Sequence, residues 1–256
     1  MIRATLEQGV GRLFLARPDK KNAFNGEMLQ TIAQTVTAWG DDPACRVVIL
    51  GSDGETFCSG ADLGWMAAQA AGGDEANREN AKMLGRVFHQ IAKCKKPVVG
   101  RIQGAARGGG VGLTAAVDIA VASERASFAL TEVRLGLLPG VISPFVVERM
   151  GPSQARALFM TGETIDAKEA HRVGLVHKLV AHEDLDAAVD QVVYNLVQGG
   201  PEALLACKRL VDTVAFVQPE QVFEQTVDAI AERRASAEAM EGMMAFLEKR
   251  KANWIP

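Results

Sequence analysis

The chain has 256 residues, 48% of them hydrophobic and 23% charged, enough for one large α/β domain with a full core. A formal net charge of −3, with no long basic block, argues against nucleic acid as a partner. No apolar run reaches membrane length and no leader pattern opens the chain, so a cytoplasmic protein without a membrane partner is expected.

Thr5–Glu7 and Val10–Ala16 read as two strands joined at Gln8-Gly9, a hairpin signal. A polar loop, Arg17 to Phe24, precedes a helix capped by Asn25 and running to about Trp39, with Leu29, Ile32, Val36 and Trp39 on one face. Arg46 to Gly51 is an apolar run of the kind buried on both faces of a sheet. A long loop from Ser52 to Leu63 leaves its end, where α/β sheets place ligands. Ala67 to Glu75, rich in Ala and Gly, is expected to be mobile, and a helix is expected from about Ala76 to Ala92.

Pro97 to Ile102 reads as a buried strand and Val111 to Val117 as a short helix. Between them lies Arg107-Gly108-Gly109-Gly110, a turn that leaves backbone N–H groups unpaired near a helix start. Such a turn suits an anion or a developing oxyanion; a tight turn packed on neighbouring backbone is the plainer reading. Strands follow at 118–122 and 127–130, with Glu132 just beyond the second. Helices are expected at about 145–150, 153–161 and 167–173, then a strand at 175–180. The tail from about Glu183 to Lys251 reads as almost wholly helical, with Pro201 and Pro219 at helix starts.

Cys45, Cys58, Cys94 and Cys207 are dispersed without a C-x-x-C, and His89, His171, His177 and His182 follow no ligand spacing. Neither a disulfide framework nor a metal site is expected. Cys58 reads as a small packing residue, since no His or Lys adjoins it to activate a thiolate.

Three segments in order, Phe57-Cys58-Ser59-Gly60-Ala61-Asp62-Leu63, Gly104 to Gly112 leading into Asp118-Ile119-Ala120, and Phe128-x-x-x-Glu132-x-x-Leu135-Gly136-x-x-Pro139, together resemble the crotonase superfamily, or enoyl-CoA hydratase/isomerase family. Arg17-Pro18 with Asn22-Ala23, Thr161-Gly162 with Ala167 to Val176, and Glu241 to Arg250 extend the match over nearly the whole chain. The resemblance implies an α/β fold, a crotonase-like spiral of ββα units over residues 1–195, with a C-terminal helical trimerisation region at 196–256. It implies a homotrimer or dimer of trimers acting on an acyl-CoA, with coenzyme A as part of the substrate and no separate cofactor. Its shared chemistry is an enolate held by two backbone N–H groups, which map onto Ala61 and Gly109.

In the family's hydratases two glutamates hold the attacking water. Glu132 matches one, but the other maps onto Gly112, which has no side chain to act with. The runs Gly108 to Leu113, Glu132 to Leu137 and Val141 to Pro144 look like the bacterial methylglutaconyl-CoA and carboxygeranoyl-CoA hydratase branch, which also carries Gly there. A branched or acidic acyl group is therefore expected, with substrate or held water filling the space above Gly112.

For substrate and CoA the resemblance points to Lys20, Lys21, Ala23, Ser59, Gly60, Asp62, Leu63, Gly108, Phe246 and Lys249. Lys20 and Lys21 could equally be surface lysines, and Phe246 a core residue. Arg107 is either an ion-paired or solvated cation, or a fork-shaped donor to an acidic acyl group or a phosphate. The functional expectation is hydration of a 2-enoyl-CoA by one carboxylate. The alternatives are a double-bond isomerase or decarboxylase of acyl-CoA, and a binding protein that kept the fold and lost the chemistry.

Overall fold

The computed structural model describes residues 1–255. It opens on a hairpin of β1 (Ile2–Glu7) and β2 (Val10–Leu15), whose turn residues Gln8 and Gly9 both take positive φ, as a two-residue turn between twisted strands requires. Then come α1 (Gly26–Asp41), β3 (Val47–Ser52), α2 (Leu63–Ala70), α3 (Asp74–Ala92), β4 (Val98–Ile102), β5 (Ala106–Arg107), α4 (Gly109–Ala116), β6 (Ile119–Ser123) and β7 (Ser127–Ala129). The chain continues through α5 (Ser143–Thr161), β8 (Thr164–Asp166), α6 (Ala167–Arg172), β9 (Lys178–Val180) and four further helices, α7 (Leu185–Gln198), α8 (Pro201–Val214), α9 (Phe223–Arg234) and α10 (Ala237–Leu247).

The large sheet runs β1-β2-β3-β4-β6-β9, with every pair after the hairpin parallel. A small sheet, β5-β7-β8, stands apart from it and is lengthened by single bridges, Cys58 to Ala106 and Phe24 to Ala61. Four times the chain passes through a strand of the large sheet, then an extended piece of the small assembly, then a helix. The passes are β2, Phe24 and α1; β3, Cys58–Ala61 and α2; β4, β5 and α4; and β6, β7 and α5. This repetition is the ββα spiral.

Side-chain alternation explains why β3 reads as an unbroken apolar run. Val48 and Leu50 enter the main core with Ile32, Val87, Phe88 and Ile91, while Val47 and Ile49 meet Leu185, Val189, Val192 and Val193 of α7 on the other face. Asn25 caps α1, its side chain accepting the Met28 N–H, as the sequence predicts. The stretch expected to be mobile carries the end of α2, which Asp62 caps, and Gly73 at positive φ turns the chain into α3 two residues earlier than expected. Gly151, non-helical at φ 75°, divides α5 into the two helical segments that the sequence separates. The two-residue β5 and the three-residue β8 lie outside the expected strands.

Three of the histidines have hydrogen-bond partners within the chain. His171 Nδ1 meets the Val176 carbonyl, His177 Nδ1 accepts the Ala120 N–H, and His182 Nδ1 meets the Ser123 hydroxyl. After α7 the character changes: α8 and α9 have no fully buried side chain, and in α10 only Ala245 is buried.

Candidate active site

The small sheet builds the site by zipping three loops together. Cys58 donates its N–H to Ala105 and accepts from Arg107, while Gly108 donates to Ala129. Phe24 donates to Gly60, and Asp62 donates back to Phe24. A parallel bridge of this kind engages the groups on either side of Ala61 and leaves the Ala61 N–H out. Gly109 is the first residue of α4, where a helical N–H has no intrahelical acceptor. Among the described residues, neither N–H has a hydrogen-bond partner.

The two loops approach so closely that only glycine fits. A Cβ on Gly60, whose φ is +92°, would lie 2.9 Å from the Arg107 carbonyl oxygen and 3.5 Å from the Gly109 nitrogen. Gly108, at φ +48°, faces Glu132: a Cβ there would lie 3.0 Å from Glu132 Oε1. Glu132 stands in a 3₁₀ turn, Thr131–Leu135, directly after β7, and the pairing of β7 with β5 fixes it beside the glycine turn. Its Oε2 is buried without a hydrogen-bond partner. Burial pushes the carboxyl's pKa above the ordinary value, with only its own backbone N–H opposing the shift.

A cleft of about 480 Å³ opens here, and Ser59, Gly60, Ala61, Leu63, Gly108, Gly109 and Glu132 all line it. Its remaining lining is Phe24, Trp65, Met66, Asn80, Leu84, Thr131 and Leu135 to Ile142. Two free donors and one carboxylate of raised pKa can together hold an anionic oxygen and move a proton nearby.

Other expected site residues lie elsewhere, for identifiable reasons. Asp62 accepts the Trp65 N–H at 3.1 Å and the Arg17 guanidinium at 2.9 Å, which together hold its carboxyl below the usual range. It fixes the loop rather than lining the cleft. The Ala23 carbonyl is held by the same Arg17. Arg107 is committed to the Ala106 and Ser127 carbonyls and the Ser127 hydroxyl at 2.7–2.9 Å, so its fork faces protein and not an acyl group. Lys20 and Lys21 are exposed, but their carbonyls receive the Ser59 hydroxyl and N–H, which puts their backbone at the cleft mouth. Phe246 is 82% exposed on α10, so it is no core residue, and neither it nor Lys249 lines the cleft of its own chain.

Gly112 departs furthest from expectation. A Cβ there would lie 2.3 Å from Ile142 Cγ2 and 3.0 Å from Phe88 Cε1. The space is closed by two apolar side chains rather than left for substrate or water. Cys58 behaves as expected: it is fully buried, and burial raises its thiol to about 12, so it stays protonated at neutral pH.

Sequence reasoning gave no role to Asn22 or Asn80. Asn22, buried at positive φ, donates to the Asp53 and Thr56 carbonyls and accepts the Arg17 N–H, pinning both loops. Asn80 lies one helical turn before Leu84, a polar residue on the line of an apolar stripe, and that offset was the available signal.

Comparison with known proteins agrees with this architecture. The profile of the enoyl-CoA hydratase/isomerase family matches residues 5–255. The crotonyl-CoA hydratase of Syntrophomonas wolfei is 36% identical over 251 residues, covering 97% of this chain and 95% of that protein. Among solved structures, an enoyl-CoA hydratase from Shewanella pealeana superposes with a TM-score of 0.95 at 38% identity, covering 99% of this chain and 95% of that one. Pseudomonas aeruginosa AtuE gives 0.95 at 33% identity, covering 100% and 99%. Carrying the crotonase fold over nearly its whole length, the chain belongs to the enoyl-CoA hydratase/isomerase family.

Proposed function

We propose that the protein hydrates a 2-enoyl-CoA thioester through an enolate held by the Ala61 and Gly109 N–H groups, with Glu132 as the sole acid–base residue. Glu132 takes a proton from water while the water oxygen bonds to the β-carbon. The electron pair of the double bond moves toward the thioester oxygen, whose negative charge falls on the two free donors. As the enolate collapses, its α-carbon takes the proton back from Glu132, so water is added and the carboxylate restored. Developing charge on a preorganised donor pair is commonly stabilised by about 3–4 kcal/mol per donor.

The observation that carries this reading is the placement of Glu132 against Gly108, with Oε2 buried and free, beside both unpaired N–H groups. The closure of the Gly112 site by Ile142 and Phe88 supports one carboxylate rather than two. For the acyl group, the walls support the branched reading over the acidic one. No Lys, Arg or His lines the cleft, whereas Trp65, Met66, Leu84 and Val141 do.

The test is incubation with saturated, 2-enoyl and 3-enoyl CoA thioesters in heavy-oxygen water. Labelled 3-hydroxyacyl product is expected from the 2-enoyl substrate. Unlabelled double-bond isomer alone would replace hydration by the isomerase reading, and thioester binding without turnover would leave a binding protein.

A further inference from the structure

Among the polar side chains that line the cleft, Asn80 carries a buried donor with no partner. It lies on α3, four residues before Leu84, and both residues line the cleft. Leu84 packs against the main core with Met83, so this face of α3 turns inward. The Asn80 Nδ2 is buried and has no hydrogen-bond partner. Trp65, Met66 and Leu84 line the same cleft, and none of them offers a carbonyl or carboxylate side chain.

A buried amide donor left without a partner costs roughly 1–3 kcal/mol, and an apolar side chain of the same size would avoid that cost. The other buried orphan on this cleft is Glu132 Oε2, which the proposed reaction uses. Asn80 lies eight residues before Phe88, about 12 Å along the helix axis from the side chain that closes the Gly112 site. That offset sets it farther along α3 than the residue that meets Gly112.

Resting on the assignment of this cleft to an acyl-CoA, we propose that Asn80 is a specificity-determining residue that donates a hydrogen bond to a neutral oxygen on the acyl chain, remote from the thioester. The ligand class is an oxygenated acyl-CoA carrying a keto, ether or hydroxyl oxygen. A carboxylate is disfavoured because the cleft offers no cation to neutralise it. A site built to meet a polar substituent rejects the analogue lacking it far more strongly than an apolar pocket rejects one extra methylene, since the protein's own group is then stranded.

The experiment measures binding, so that it stands apart from turnover. Saturated straight-chain acyl-CoAs of six to eight carbons, unsubstituted or with one keto oxygen walked from the fourth carbon to the penultimate one, are titrated calorimetrically into the wild type and Asn80→Leu. One keto position is expected to bind the wild type at least about tenfold tighter than its unsubstituted parent. In Asn80→Leu that preference should vanish, with the unsubstituted chain bound as well as or better than by the wild type. Butyryl-CoA, too short to reach along the wall, should bind both proteins alike, which also shows that the variant is folded. No preferred keto position in the wild type, or a preference that survives in Asn80→Leu, overturns the proposal. If no thioester of the set binds, the cleft assignment itself has failed; if butyryl-CoA binds and the keto series shows no preference, only the role of Asn80 has.

Discussion

In the proposed reaction Glu132 is the acid–base group and Gly112 leaves it without a second carboxylate, and each yields a prediction. Glu132 must be ionised to accept a proton from water, and burial raises its pKa above the ordinary 4.5. The acid limb of the kcat/KM profile should therefore fall as pH drops through a value above 4.5, and a limb at or below it would contradict the assignment. The same shift has a stability consequence. A carboxyl with a raised folded pKa favours the folded state at low pH and loses that contribution as pH rises through the folded value. Urea unfolding at pH 4 and pH 8 should show Glu132→Gln gaining stability over the wild type at the higher pH only. At Gly112, Ile142 and Phe88 close the space that a new side chain would need. Gly112→Glu should lose about 2 kcal/mol or more of stability and lose turnover of short and long 2-enoyl-CoAs alike. A gain on either substrate would mean that the Ile142 wall yields.

At the scale of elements, the oxyanion loop is held by α2 and by the Arg17–Asn22 loop. Asp62 joins them, capping α2 with one oxygen and pairing with Arg17 through the other. Asp62→Ala should leave thioester binding nearly intact yet lower kcat by up to about a hundredfold, the scale of a small misplacement at the reacting centre. Rescue by Asp62→Asn, which keeps one acceptor for the Trp65 N–H, should be partial; an unchanged kcat in Asp62→Ala would show that the loop holds its place without it. The glycine turn and the helices flanking it were legible because each depends on local rules, namely positive φ, capping and apolar spacing, whereas Glu132 was singled out by the family resemblance alone. Asp62 was expected as a ligand contact and Arg107 was left open, because their partners, Arg17 and Ser127, lie 45 and 20 residues away. Nothing local announces such pairs. The short β5 and β8 escaped for the same reason, since two or three residues carry no period and only pairing with β7 makes them strands.

Across the whole molecule, apolar surface is unevenly spread. Phe216 in the turn after α8, and Phe223, Val227, Ile230, Met243, Phe246 and Leu247 on the C-terminal helices, are all exposed, as are Leu63, Leu135, Leu137 and Leu138 on the cleft. Contiguous apolar surface on this scale marks an interface. We propose that a homo-oligomer in multiples of three, assembled partly through residues 196–256, covers these side chains. Light scattering should give a mass of about three or six chains of 27.3 kDa, and a stable monomer at micromolar concentration would contradict it. Paired substitution of Met243 and Phe246 by Glu should shift the mass toward the monomer. The helical tail was legible from its periodicity, whereas its exposure was not, because an apolar stripe reads the same whether its own chain or another covers it.

The claim that one carboxylate performs the hydration is tested most directly by comparing Glu132→Gln with the wild type on crotonyl-CoA, following both turnover and thioester binding. The account predicts that binding persists while kcat falls by at least about a hundredfold, the low end for losing a general acid–base group. Near-normal hydration by the variant would contradict it, and would show that the proton travels by another route.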